Sequence, residues 1–112
     1  MNEILAIIRL NKVSETKEAL LKAGFPAFTC KKALGKGKEP VKYKLSDNKE
    51  KDSELIPKRA FTLIVNEKDT DTVVKVIMDT NYSGNHGDGK IFVMPVLESY
   101  KVSNGEGSAD AF

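Results

Sequence analysis

The stretch that decides the fold is Ala60-Phe61-Thr62-Leu63-Ile64-Val65, a continuous run of mostly apolar, β-forming residues. A run of this length and composition predicts a buried strand. Asp69 or Thr70 can then cap a helix, because short polar side chains accept hydrogen bonds from the first free backbone N–H groups. Apolar residues at helical spacing follow in 73–77, and a glycine-rich loop leads into another apolar run at 91–96. The second half of the chain therefore predicts a strand, a helix and a strand.

The first half of the chain repeats this order. Ile4–Ile8 is a short apolar run that predicts a strand buried on both faces. Ser14 can cap a helix that begins at Glu15, and Gly24 can end that helix in a left-handed conformation. Residues 26–34 are again mostly apolar and β-tolerant, and they predict a second strand.

Three further segments do not fit this pattern. From 35 to 56, glycine, proline and alternating charges break the periodicity, which predicts a long mobile loop, 36–55, without regular structure. Residues 98–103 predict a weaker extended piece, and 105–112 a flexible tail.

The whole chain, 1–112, is then a single α+β domain with a ferredoxin-like βαββαβ fold. It has one four-stranded antiparallel sheet, two helices on one face and the long loop between strands 2 and 3. This fold alone does not name a function.

Composition narrows the class of protein. The chain has 112 residues, of which 40% are hydrophobic and 30% charged, the balance of one globular domain. Its net charge of +2 is too small to indicate a nucleic-acid or membrane partner. Residues 31–59 nevertheless hold ten Lys/Arg against five Asp/Glu, a local charge of +5 that could attract an anion.

Cys30 is the only cysteine and is interpreted as a small buried thiol. The first residues lack a signal-peptide pattern, so a cytoplasmic protein without membrane insertion is expected.

Two glycine–lysine stretches could bind an anion. Gly84-Asn85-His86-Gly87-Asp88-Gly89-Lys90 runs directly into the last predicted strand. Its three glycines allow backbone N–H groups to approach an anion, and Lys90 adds a positive charge. Taken alone, a glycine-rich turn that feeds a strand is the simpler interpretation. Gly35-Lys36-Gly37-Lys38 could cradle phosphates or form a flexible hinge.

Catalysis and a histidine metal centre have little support. His86 is the only histidine, and one histidine without a cysteine cluster makes a poor metal site. The sequence also offers no Ser/His/Asp set and no convincing pair of carboxylates. We therefore expect a protein that is not an enzyme.

The motifs together resemble the PII family of nitrogen-regulatory signal-transduction proteins. The matching residues are Ala6-Ile7-Ile8, Gly35-x-Gly37, Pro57-Lys58 and, above all, Gly84-x-x-Gly87-Asp88-Gly89-Lys90-Ile91-Phe92-Val93. The resemblance covers essentially the whole chain. Gly24–Thr29 and Ile56–Arg59 further resemble the branch that regulates nitrogenase in archaea and anaerobic bacteria.

The resemblance implies a trimer, homomeric or mixed with a paralogue, that binds ATP or ADP in the clefts between subunits. With Mg-ATP bound, the family also binds 2-oxoglutarate at the base of the long loop. Lys58 matches the lysine that pairs with the 2-oxoglutarate carboxylate, and position 39 holds the Mg²⁺ ion. The loop then changes shape, and the affinity for a target protein changes with it. The implied nucleotide-binding residues are Ile7, Phe28, Thr29, Gly35, Lys36, Gly37, Lys38, Ile64, Gly87, Asp88, Gly89, Lys90, Lys101 and Ser103, with Phe28 and Thr29 supplied by the neighbouring subunit. The implied 2-oxoglutarate residues are Glu39 and Lys58.

Three departures from the family pattern bear on these sites. Glu39 stands where the family usually has glutamine, and it places a negative charge beside a dianionic ligand, so 2-oxoglutarate binding is left open. Lys101 and Ser103 stand where two arginines reach the phosphates. Lysine lacks the guanidinium fork and serine lacks the charge, so nucleotide affinity is expected to be lower. Lys51 replaces the tyrosine that is uridylylated in the enteric-type proteins, so that modification is expected to be absent.

The leading prediction is a non-catalytic regulator that docks on its target through loop 36–55. The target would be a nitrogenase component, an ammonium transporter or an enzyme of nitrogen metabolism. One alternative is a degenerate trimeric adaptor without ligand sensing, which the residues at 39, 101 and 103 would allow. Another is a ferredoxin-like nucleic-acid-binding module, which lacks support because the strands have no paired aromatic RNA-binding signature. A weak ATP hydrolase would need a water-activating residue that the sequence does not offer.

Overall fold

The structure is a computed structural model that describes residues 1–36, 41–44, 50–53 and 55–107. The strands are β1 Asn2–Arg9, β2 Thr29–Gly35, β3 Val41–Lys44, β4 Glu50–Ser53, β5 Ile56–Val65 and β6 Lys90–Pro95. The helices are α1 Val13–Lys22 and α2 Thr70–Asn81. A short 3-10 turn precedes each helix, at Leu10–Lys12 and at Glu67–Asp69.

The four long strands form one antiparallel sheet in the order β2-β5-β1-β6. The side chains of a strand alternate between its two faces, and in β1 the fully buried residues are Ile4, Ala6 and Ile8. They form one core cluster with residues of β5 and both helices, among them Phe61 and Leu20. The helices therefore cover one face of the sheet. The predicted ferredoxin-like arrangement, with two helices on one face of a four-stranded antiparallel sheet, is confirmed.

The end of α1 follows the predicted chemistry, but its start does not. Gly24 has a φ of +94°. Its N–H donates to Leu21 O at 3.0 Å and that of Phe25 donates to Leu20 O at 2.8 Å, which is a Schellman end. The helix begins at Val13, and no side chain caps it. The prediction of a Ser14 cap was wrong because the preceding 3-10 turn already holds the chain in a helical conformation when it reaches Val13.

The boundaries of β5 also differ from the prediction. The strand begins at Ile56 rather than Ala60. Pro57 pairs with Leu34 of β2, whereas the pairing with β1 begins at Lys58, opposite Arg9. Proline is compatible with a strand position that has a partner on only one side. The polar residues at 58 and 59 hide this first part of the strand from a search for apolar runs.

The prediction that 36–55 has no regular structure was wrong. β3 and β4 pair antiparallel as a separate two-stranded ribbon, with Val41 opposite Ser53 and Lys44 opposite Glu50. Backbone hydrogen bonds within such a ribbon do not require an apolar run, so charged residues can occupy it. Gly37–Pro40, 45–49 and Glu54 lie outside the described residues.

Residues after β6 form a turn rather than an extended piece. The N–H of Gly105 donates to Lys101 O and that of Lys101 donates to Glu106 O, both at 2.8 Å. An isolated bridge joins Tyr100 to Gly107. The predicted tail lies outside the described residues from 108 onward. Within the described part of the chain, no helix is long and apolar enough to span a membrane.

Candidate functional site

The candidate site lies at the end of the sheet where β1, β5 and β6 meet the loop that joins α2 to β6. This segment, Tyr82–Gly89, is called the glycine loop below. Ile7 pairs with Lys90 of β6 and with Ala60 of β5, and Arg9 pairs with Lys58. By strand alternation, Ile7, Arg9, Lys58 and Lys90 all belong to the face of the sheet that carries no helix. The fold thus gathers three cations at one end of this face.

Two of these cations hold the glycine loop by its carbonyl groups. Arg9 donates from Nε to Gly87 O at 3.1 Å and from Nη2 to His86 O at 2.6 Å. Lys58 Nζ donates to Gly87 O at 2.6 Å. Hydrogen bonds from charged donors are stronger than those from neutral donors. The glycine loop is therefore tied to β1 and to β5 at the same carbonyl.

Asp88 organises the loop from within. Its carboxylate accepts hydrogen bonds from the Ser83 hydroxyl, from the Ser83 N–H at 2.8 Å and from the Gly84 N–H at 3.2 Å. It also forms an ion pair with Arg9 Nη2 at 3.3 Å. Hydrogen bonds from Ser83 are the main cause that lowers the pKa of Asp88, and Arg9 adds to the effect. The carboxylate is held in its charged form, so it acts as a fixed acceptor at the centre of the loop.

The surroundings of Lys58 disfavour its charged form, whereas those of Asp88 favour its charged form. Partial burial lowers the pKa of Lys58, the positive charge of Arg9 lowers it further, and Asp88 partly offsets both effects. Lys90, at the start of β6, has no ion-pair partner within the part of the chain that the structure describes. The cluster of Arg9, Lys58 and Lys90 around the single charge of Asp88 leaves a positive surface that suits an anion.

The glycines of the loop are required by its geometry at two positions. Gly87 has a φ of +92°, and a Cβ built there would lie 3.4 Å from Arg9 Nη2 and 3.6 Å from Lys58 Nζ. Gly89 has a φ of +116°, and a Cβ there would lie 1.9 Å from Ile7 O. Side chains rarely adopt such φ values. The loop backbone consequently comes close to both cations and to β1.

Only some of the predicted nucleotide-binding residues converge in one chain. Ile7, Asp88, Gly89 and Lys90 line a common cleft of about 490 Å³, and Gly87 adjoins it. Ile64 does not belong to this group. It pairs with Glu3 of β1 and lies six residues from Lys58 along β5, which is about 20 Å at strand spacing.

The remaining predicted residues lie apart from the loop. Thr29 pairs with Thr62 on β5, and the Phe28 ring stacks on Phe61 of the same core at 4.8 Å. Gly35 pairs with Ile56 at the end of β2, and Lys36 follows it as an exposed residue. Lys101 and Ser103 belong to the C-terminal turn, where Lys101 Nζ lies 4.0 Å from Glu106. Gly37, Lys38 and Glu39 lie outside the described residues, so the predicted Mg²⁺ position is not described either.

Arg9 and Ser83 are the site residues that the sequence analysis missed. Arg9 follows the apolar run of β1 and looks like an ordinary polar end of a strand. The signal lies in the register, which places it opposite Lys58. Ser83 binds Asp88 through a local loop contact that a search for acid–base or metal motifs would not find. His86 contributes only its carbonyl oxygen to the contacts of this site.

Comparisons with known proteins agree with this architecture. The family model described as nitrogen regulatory protein P-II matches residues 1–106. A nitrogen fixation nifHD region glnB-like protein 2 from Methanococcus maripaludis is 44% identical over 95% of this chain and 95% of its own length. One of the same description from Methanothermococcus thermolithotrophicus is 38% identical over 95% and 94%.

A solved structure extends the agreement to three dimensions. Arabidopsis thaliana PII bound to citrate superposes with a TM-score of 0.78 at 26% identity, covering 99% of this chain and 91% of that one. The predicted resemblance is confirmed, including its nitrogen-fixation branch. The chain belongs to the nitrogen regulatory protein P-II family.

Proposed function

We propose that this protein is a non-catalytic nitrogen-regulatory signal carrier that binds ATP or ADP at the glycine loop. The observation that carries the proposal is the convergence of Arg9 and Lys58 on the carbonyl of Gly87, which gathers positive charge beside the glycine loop. Proteins of the P-II family are regulatory signal-transduction proteins and are typically trimers. Lys101 and Ser103, which belong to the turn that follows β6, would then act on the nucleotide of a neighbouring subunit.

A carboxylate effector is compatible with the same group of cations. Arg9 and Lys58 present two positive charges at the base of the long loop, which suits the two carboxylates of 2-oxoglutarate. The solved P-II relative from Arabidopsis thaliana is bound to citrate, another carboxylate. Mg²⁺ would accompany ATP through Glu39.

Signalling would follow from competition for the cations. In the described conformation Arg9 and Lys58 are occupied by carbonyl groups of the glycine loop. A phosphate or carboxylate that binds them would release those carbonyls and shift the conformation at the start of β5, where the long loop ends. Such a ligand acts only through its different affinity for the two conformations. The loop would transmit the change to a target in the cytoplasm, such as a nitrogenase component, an ammonium transporter or a nitrogen-metabolism enzyme, from a homotrimer or a mixed trimer with a paralogue.

Calorimetric titration tests the proposal directly. The full chain is titrated with ATP, with ADP and with 2-oxoglutarate in the presence of Mg-ATP. We expect saturable nucleotide binding that weakens about tenfold in Lys90→Ala, because a charge-assisted contact is lost. Lys75→Ala is the matched control, since Lys75 lies on α2 and pairs with Asp79 at 2.9 Å. Absence of nucleotide binding at millimolar concentration would overturn the proposal and favour the trimeric adaptor.

A further inference from the structure

The ribbon of β3 and β4 leaves backbone edges open. The two strands form a sheet of their own, with Val41 opposite Ser53 and Lys44 opposite Glu50. Each strand uses one edge to pair with the other, and in the described part of the chain no further strand lies beside the opposite edge. Such an edge presents a row of N–H and C=O groups that can pair with another chain. The ribbon can therefore accept a third strand.

The two rows of residues along β3 differ in chemistry. Successive residues of a strand belong to opposite faces of the sheet. Val41 and Tyr43 share one face of the ribbon, and Lys42 and Lys44 share the other. The edge of β3 thus combines an apolar row with a cationic row.

The edge of β4 lacks such an apolar row. Glu50 and Asp52 share the face of the two lysines of β3, and Lys51 and Ser53 share the other face. A strand added to β4 would gain backbone hydrogen bonds but no apolar contact, whereas a strand added to β3 could gain both. The edge of β3 is therefore the one that can select a partner by its side chains.

A second copy of this ribbon does not suit the edge of β3. Antiparallel pairing of two such edges would bring the lysines at 42 and 44 of both chains onto one face, and like charges opposite each other destabilise a sheet. The same lysines favour an acidic partner, and the segment 31–59 that contains them carries a local charge of +5. Charge complementarity thus indicates a different chain, with acidic residues on that face.

We propose that the outer edge of β3 binds an extended segment of the target protein in which acidic and apolar residues alternate. The segment adds a third strand to the ribbon, with its acidic residues beside Lys42 and Lys44 and its apolar residues beside Val41 and Tyr43. Main-chain hydrogen bonds would supply affinity, and the two rows would supply specificity. This mode of docking rests on the proposed function, in which the long loop contacts the target.

Three short peptides of equal length test the proposal. Glutamate and valine alternate in the first, the second has the same composition with all glutamates before all valines, and lysine and valine alternate in the third. Each is titrated into the full-length protein with and without ATP, and the backbone amide shifts of β3 are followed by NMR. We expect the alternating acidic peptide to bind about tenfold more tightly than the block peptide, because cross-strand pairs form on both faces.

Three results would overturn the proposal: equal affinities of the two acidic peptides, binding of the lysine peptide as tight as that of the alternating acidic one, or no shifts in β3 at millimolar concentration. The calorimetric titration with nucleotide does not depend on any of these results. The docking mode and the nucleotide site can therefore fail separately.

Methylation of the peptide backbone tests the strand pairing itself. One N-methyl group is placed at each residue of the alternating acidic peptide in turn. Only every second N–H of an added strand faces its neighbour, so we expect large and small losses of affinity to alternate along the peptide. Losses without this alternation would show that the peptide is held by charge attraction alone, and would contradict the added strand.

Two variants with the same change of charge locate the edge. Lys42→Gln removes a lysine from β3, and Lys51→Gln removes one from β4. We expect the alternating acidic peptide to bind about fivefold more weakly to Lys42→Gln, because one cross-strand charge pair is lost. Its affinity for Lys51→Gln should stay close to that for the natural protein. Equal losses in the two variants would assign the binding to net charge rather than to the edge of β3 and would overturn the proposal.

Discussion

The glycine loop and the C-terminal turn are both glycine-containing segments next to β6, yet they are held in different ways. The glycine loop is bound by residues far away in sequence, Arg9 and Lys58. The C-terminal turn, residues 98–107, is closed by its own neighbours, as when Tyr100 donates to Glu98 at 2.7 Å. The hydrogen bond to Glu98 raises the pKa of Tyr100. One segment is therefore an integral part of the sheet end, and the other is a local structure on the surface.

This difference indicates which of the two segments could transmit a conformational change to the sheet. A change at Gly87 reaches β1 and β5 at once because both strands contact its carbonyl. In the C-terminal turn, by contrast, Tyr100 and Lys101 contact Glu98 and Glu106 of the same segment. Under the proposed function, the glycine loop is therefore the segment through which ligand binding would reach the long loop.

Alanine at a crowded glycine should give the largest contrast. Gly89→Ala combines a φ of +116° with a Cβ only 1.9 Å from the backbone oxygen of Ile7, which cannot rotate away. We expect a loss of about 2–4 kcal/mol in the free energy of unfolding, from backbone strain and displacement of the loop. Denaturant unfolding of the variant measures it.

Gly107→Ala is the matched comparison in the second segment. A Cβ there would lie 2.4 Å from the Tyr100 ring, but this ring is largely exposed and can move. We expect a loss below about 1 kcal/mol. Equal losses in the two variants would break the distinction between an integral and a local segment.

Removal of Arg9 should loosen the glycine loop by a smaller amount. Arg9→Gln eliminates the ion pair with Asp88 and the charged donor to His86 and Gly87. Both groups are partly exposed, so the effect should be modest, about fivefold faster hydrogen exchange of the amides in 83–89. Lys101→Gln, which affects only a 4.0 Å pair with Glu106, should leave those amides unchanged. Unchanged exchange in Arg9→Gln would show that Asp88 and Lys58 close the loop without Arg9.

The pH dependence of the loop should be the smallest and most local effect. The hydrogen bonds from Ser83 lower the pKa of Asp88 below its ordinary value of 3.8. A carboxylate with a lowered pKa in the folded state stabilises that state above its unfolded pKa, and the contribution is lost as pH falls through the folded pKa. Loop amide shifts followed by NMR should therefore stay constant down to the ordinary aspartate pKa of 3.8 and change only below it.

Asp88→Asn is the control for this titration. We expect the acid transition of the loop amides to vanish in this variant, while the C-terminal turn behaves as in the natural protein. A transition that persists in Asp88→Asn would assign the titration to another group.

Much of the fold follows from local patterns. The apolar run at 60–65 and the glycine at 24 are short-range signals, and each marks a strand or a helix end that the structure contains. The predicted cap of α2 by Asp69 or Thr70 was wrong, because no side chain caps this helix, which begins at Thr70 after a 3-10 turn. The ribbon of β3 and β4 was missed because paired backbone groups stabilise it without an apolar run. The start of α1 was missed because a 3-10 turn, not a side-chain cap, begins it.

The candidate site likewise combines features that the sequence predicted with contacts that it did not predict. By itself the sequence determined the glycine-rich loop, the lysine at its end and the family, since these depend on residue types at fixed spacing along the chain. Only the tertiary structure decided that Arg9 and Lys58 meet at Gly87 and that Asn81 of α2 reaches Thr16 of α1. Those contacts join residues 29 to 78 positions apart in the chain. The strand register and the helix packing bring them together, and neither is visible as a local pattern.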